Sequence, residues 1–173
     1  MTPDFSPDEI IDFWFGPSDD NLTIARRQSK LWWSKNEDID ATIRERFGPL
    51  LVSMSNRTNH EVSGTAQGRL ANIILLDQFP RNIHRGRAEA FACDVKARAV
   101  ASTALARGHD SEVEEELRRF LYLPLEHSES LADQERSVAM FRALGDPDGL
   151  DYAIRHRDII ARFGRFPHRN AAL

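Results

Sequence analysis

Apolar residues in this chain recur at three- and four-residue intervals, and no segment alternates apolar with polar residues over a convincing length. Helical spacing confines apolar side chains to one stripe per element, so the chain hides them by packing helix on helix. The start and stop signals agree. Ser6-Pro7-Asp8-Glu9 reads as a helix start, with Ser6 as cap, Pro7 at the first turn and Glu9 completing a capping box. That helix carries Ile10, Ile11, Phe13 and Trp14 and stops at Gly16-Pro17. A second covers Ile24–Trp33. Asn36 caps a third bearing Ile39, Ile43 and Phe47, which Gly48-Pro49 should break or kink. After a polar loop over Ser55–Gly64 come helices over Ala66–Gln78, Asp94–Ala106 and Glu112–Tyr122. One begins at Ser130, with Asp133 three residues on, and ends at Gly145; the last covers Asp148–Phe163. A proline break is expected at Pro80, and a stop or bend at Pro124. The fold class predicted is all-α, a single domain over residues 1–173 built of antiparallel helical hairpins.

At 173 residues, 41% hydrophobic and 29% charged, the chain suits one globular domain. Its formal net charge of −4 argues against a nucleic-acid partner. Cys93 is the lone cysteine, so no internal disulfide forms, and its neighbours suggest a small buried residue. The acidic N-terminus lacks the pattern of a signal peptide, and the run around Leu70–Leu76 is too short to span a bilayer. A cytoplasmic protein without membrane contact is expected. No metal-binding spacing, Walker loop or dinucleotide fingerprint occurs, and no cofactor is expected. Trp32-Trp33 and Phe13-Trp14-Phe15 are assigned to the core or to an interface.

The polar residues that need explaining gather at three places. Leu70, Ile73, Ile74 and Asp77 share one helical stripe, so Asp77 faces the core near a helix end, where a carboxylate needs a partner. Arg81 can supply it, if Pro80 breaks the helix and turns Arg81 and Asn82 round. Glu126 and His127 follow Pro124 and, being adjacent, diverge by about 100° on a helix; Ser128 beside His127 is no convincing nucleophile. His156 lies on a stripe with Tyr152, Ile159 and Phe163, which favours a hydrogen-bonded core histidine. Arg155, Arg157, Arg162, Arg165 and Arg169 make the last segment basic against an acidic middle, and docking of the last helix is the simplest use of that asymmetry.

Three long blocks carry a resemblance: ILLDQFPRNIHRG at Ile74–Gly86, FLYLPLEHSESLADQERSV at Phe120–Val138 and HRDIIARFGRFPHRN at His156–Asn170. With IIDFWFG and IRERFGPLL they resemble the bacterial domain-of-unknown-function family 924 over nearly the whole chain. The resemblance implies a tetratricopeptide-like helical array and brings no established activity, cofactor or catalytic residue. It also implies that a Gly-Arg and Ser/Thr-rich tail beyond the FPHRN block is absent here, since this chain stops at Leu173.

The blocks mark a candidate ligand-binding set: Asp77, Gln78, Arg81, Asn82, Glu126, His127, His156, Arg165, His168, Arg169 and Asn170. Three functions stay open. The set can line a polar pocket for a small carboxylate or phosphate compound. It can staple a protein-interaction scaffold whose working surface is elsewhere. Or Glu126 or Asp77 can act with His127 or His168 as acid–base groups of a hydrolase or transferase. Oligomeric state is not encoded in any visible motif.

Overall fold

A computed structural model describes residues 4–16, 24–58 and 63–173. Pro17 and part of the Ser55–Gly64 loop lie outside the described residues. Helix α1 covers Pro7–Phe15, α2 Ile24–Trp33, α3 Glu37–Ser55 and α4 Ala66–Ile73. A π-helical turn over Ile74–Gln78 joins α4 to the short α5, Phe79–Ile83. Then follow α6 (Asp94–Ala106), α7 (Glu115–Glu126), α8 (Leu131–Leu144) and α9 (Pro147–Phe163). Single 3₁₀ turns lie at Ala88–Phe91, His109–Glu112 and Pro167–Arg169. No strand occurs among the described residues, so the class is all-α, and none of their helices is long and apolar enough to cross a membrane.

Among the described residues no helix stops at its proline. α3 runs through Pro49 and α7 through Pro124. In both, buried residues follow the proline: Leu50, Leu51 and Met54 in α3, Leu125 and Glu126 in α7. Keeping that stripe in the core outweighs one missing backbone donor. At Pro80 the device is different. The Phe79 N–H donates to the Ile74 carbonyl, five residues back, and this wider turn lets the proline ring pass the preceding carbonyls. The helical path therefore continues from Ala66 to Ile83 rather than ending at Gln78.

Two expected caps also change hands. Ser6 and Ser130 occupy N-cap positions, but neither side chain makes a capping bond. Glu9 pairs with Arg46 at 3.2 Å instead of reaching back to its own helix start. Ser128 Oγ accepts the Ser130 N–H at 3.1 Å and donates to Asp133 at 2.6 Å, closing the turn into α8. Asn36 caps α3 as expected, accepting from the N–H groups of Asp38 and Ile39.

An aromatic centre ties five helices together. Trp14 stacks on Trp32 at 6.4 Å and meets Phe79 and Phe120 edge-on. Phe47 stacks on Phe79 at 4.7 Å, and the Trp32 indole N–H donates to the Trp14 carbonyl at 2.9 Å. The indole and phenyl rings of this centre supply large apolar area with fixed edge-to-face geometry. α6 packs against α4 and α7 through Ala97, Ala101 and Ala104, all fully buried, and α8 packs on both α7 and α9.

The start of α9 is the tightest joint. Asp146 caps it by accepting the Gly149 N–H at 3.0 Å and also takes the Arg119 guanidinium of α7. A Cβ at Gly149 would lie 2.5 Å from Asp146 Oδ2 and 2.6 Å from the Phe141 ring. Gly149→Ala should therefore lose ~1–3 kcal/mol by overpacking, read as a lower urea midpoint at unchanged slope. An unchanged midpoint would show the joint to be loose.

Candidate functional site

The π turn, the C-terminal end of α7 and the middle of α9 converge on one cavity of about 840 Å³. Asp77, at the π turn, is fully buried just beneath it. Its Oδ1 lies 2.8 Å from His127 Nδ1, and its Oδ2 accepts from the Gln78 amide at 2.7 Å. Burial alone would raise the Asp77 pKa; the charges of His127 and Arg81 and the bonds from His127 and Gln78 reverse this and hold it at about 2. A carboxylate facing Nδ1 fixes that nitrogen as the donor and leaves Nε2 as the basic nitrogen of His127, which lines the cavity.

Arg81 does turn toward the Asp77 end of the helix, donating to the Asp77 carbonyl at 2.8 Å. Its forked grip, however, goes to Asp94 at the first position of α6, with bonds of 2.8 and 3.0 Å. Nothing about Asp94 in sequence distinguishes it from an ordinary first-turn acid, so this partner was not legible there. Arg169 completes the network. It lies 3.6 Å from Asp94, packs over the rings of Phe91 and Phe166, and donates to the His127 carbonyl at 3.0 Å. Gln134 of α8 donates to the carbonyls of Glu126 and Ser128, both at 2.6 Å. These two side chains satisfy carbonyls that the end of α7 would leave orphaned, and they hold Glu126 and His127 at fixed positions.

Glu126 and His127 both line the cavity, against the expected divergence of neighbours on a helix. The reason is local: α7 ends at Glu126, and His127 is already its cap. Glu126 is 4% exposed, and its Oε2 has no hydrogen-bond partner among the described residues. Burial, reinforced by the Asp77 charge, pushes its pKa up to about 8, so it is largely a neutral acid at pH 7. His156 sits in the cavity wall rather than the core. The core side of α9 is Gly149, Ala153 and Ile160, while Tyr152 and Phe163 of the expected stripe are more than half exposed. Burial pushes the His156 imidazole down toward its neutral form, and the charges of His127, His168 and Arg169 act the same way.

The profile of the family described as "Bacterial protein of unknown function (DUF924)" matches residues 10–173. The chain belongs to the DUF924 family. The structure of a protein of unknown function, ATU0120 from Agrobacterium tumefaciens, is similar to it at 38% identity and a TM-score of 0.83, over 96% of this chain and 88% of that one. No curated protein matches it.

Of the candidate set in this DUF924 protein, Gln78, Arg81, Asn82, Glu126, His127 and His156 line the cavity; Asp77 and Arg169 lie behind it. Arg165, His168 and Asn170 are exposed and do not line it. Sequence reasoning missed three arginines of the wall. Arg85 is held by Asp40 through bonds of 2.8 and 2.9 Å, Arg119 by Asp146, and Arg155 by Asp151 at 2.7 Å. Trp33, assigned from sequence to the core or to an interface, is 54% exposed and also lines the wall. His127 paired with Asp77, a neutral acid at Glu126 and guanidinium groups held by aspartates give the site acid–base groups and partners for an anion.

Proposed function

We propose that this pocket binds a small organic molecule carrying a carboxylate or phosphate group. The observation that carries this reading is the gathering of guanidinium groups in the lining of one cavity. The chain as a whole is acidic, at −4, yet Arg81, Arg85, Arg119 and Arg155 converge on one cavity against Asp148, Asp151 and a largely neutral Glu126. Arg81, Arg85 and Arg119 are each anchored by an aspartate outside the lining, Asp94, Asp40 and Asp146, which fixes their positions and lowers the entropy lost on gripping an anion. Arg85 and Arg119 use Nε and Nη2 for that anchoring, so their Nη1 ends remain for a ligand. We place the protein in the cytoplasm, in keeping with a single buried cysteine.

Titration with inorganic phosphate and with small mono- and dicarboxylates, followed by thermal shift and calorimetry, tests the reading. At least one anion should raise the melting temperature. Arg85→Ala should weaken it about ten-fold, the cost of one charge-assisted bond. Because Arg85 is partly exposed, that variant should remain folded. Stabilisation by no anion at all would end the proposal.

Acid–base catalysis on the bound molecule is a second reading, favoured by the 2.8 Å contact between Asp77 and His127. It expects any bound compound that is turned over to show a bell-shaped pH–rate profile, and His127→Ala to lose about 10²–10⁴-fold in rate. A rate unchanged in that variant would remove it.

A further inference from the structure

The buried acids of this site differ in one respect. Asp40 has Asn82 and Arg85, Asp77 has His127, Gln78 and Arg81, and Asp94 has Arg81 and Arg169. Glu126, 96% buried by its 4% exposure, has no committed cation. On its own helix the nearest guanidinium, Arg119, is bound to Asp146. Asp77 from the π turn and Asp146 from the start of α9 face it as further negative charges, while Gln134 of α8 bonds its backbone carbonyl and not its carboxyl group.

His156 faces the Glu126 carboxyl group. His156 Nδ1 lies 2.8 Å from the Tyr152 carbonyl and 3.1 Å from Glu126 Oε1. A carbonyl can only accept, so Nδ1 carries the hydrogen and gives it to Tyr152, with Glu126 Oε1 close by. Glu126 Oε2 has no partner among the described residues, and the neutral acid carries one proton. The same assignment leaves His156 Nε2 as an acceptor. The cavity thus offers two acceptors, the Glu126 carboxyl group and the His156 ring, once that proton departs. The guanidinium groups of Arg85 and Arg119 line the same cavity, Arg119 two turns before Glu126 on α7. No group of three or more His, Cys, Asp and Glu among the described residues could hold a metal ion, so an inorganic cation finds too few ligands beside Glu126. A primary ammonium, with three N–H donors and one charge, matches what Glu126 and His156 lack.

We infer that the ligand is a zwitterion, its ammonium group seated on Glu126 and His156 and its carboxylate or phosphate on Arg85 and Arg119. Amino acids are the simplest members of the class. The inference rests on the anion-binding reading and adds the second pole. Binding displaces the Glu126 proton to solvent, because the ammonium favours the carboxylate form. The exchange balances: one proton leaves as one positive charge arrives.

The probes are the common L-amino acids, each compared with the acid lacking the amine: L-glutamate with glutarate, L-alanine with propionate, and so on. The intact protein is titrated near neutral pH. At least one amino acid should bind about ten-fold or more tightly than its des-amino partner, as expected for losing a hydrogen bond to a charged group. A pH-stat should record release of about one proton per molecule bound, and none above the pH at which free Glu126 ionises. Glu126→Gln should abolish both the preference and the proton release while leaving binding of the des-amino acid. If des-amino acids bind as well as amino acids, or no proton is released, the zwitterion inference fails and the anion reading stands. If neither class binds, and inorganic phosphate does not, both fail together.

Discussion

At pH 8, Glu126→Gln should be more stable to urea than the unsubstituted protein by ~3–5 kcal/mol, and at pH 4 the two should be nearly equal. The folded-state pKa of about 8 lies above the ordinary 4.5 that the unfolded chain retains. Below pH 4.5 both states hold the proton and Glu126 costs nothing. As pH rises toward 8, unfolding releases a proton that the folded state keeps, so stability falls; above pH 8 both states are ionised and the loss levels off. Glutamine copies the shape of the neutral acid and removes the titration. The difference between the two proteins isolates this one group, because every other titrating residue cancels. A difference independent of pH would show that the Glu126 pKa is the same in the folded and unfolded chain. Together with lost amino-acid binding, the expected result would mark Glu126 as a residue kept at a cost in stability.

Asp77→Ala has the opposite sign. It should lose ~3–5 kcal/mol at pH 7, the range for removing one member of a buried ionic group. Asp77 is fully buried and serves His127, Gln78 and Arg81 at once, so alanine leaves three donors facing a void. Its folded pKa of about 2 lies below the ordinary 3.8, so its contribution is present above pH 3.8 and is lost as pH falls through 2. Acid titration of the unsubstituted protein should show that loss, and the alanine variant should lack it. A cost below ~1 kcal/mol at pH 7 would mean that His127 and Arg81 repack without the carboxylate.

Helix existence was the most legible part of this chain. α2 spans Ile24–Trp33 and α6 Asp94–Ala106, as the apolar spacing predicts, and Asn36 caps α3. The errors share one cause. Proline rules describe an isolated helix, whereas Pro49, Pro80 and Pro124 sit within stripes whose burial continues on both sides. Within the site, Asp77 was legible because a carboxylate on an apolar stripe has to be explained. Asp94, Asp40 and Asp146 were not, because each sits where acids are ordinary, near a helix N-terminus, and only tertiary contact reveals the arginine each one holds. His156 was misplaced for a related reason: its stripe is apolar, but it is not the side of α9 that packs inward.

The five-residue turn at Ile74–Gln78 also sets the rotational phase of everything after it. A π turn holds one residue more than the regular spiral needs. Excising a single residue there would let the rod relax to uniform winding while swinging Arg81 and Asn82 about 100° around its axis. Chain length in this segment works as an angular setting, and an indel that a surface loop would absorb would here disassemble the cavity wall.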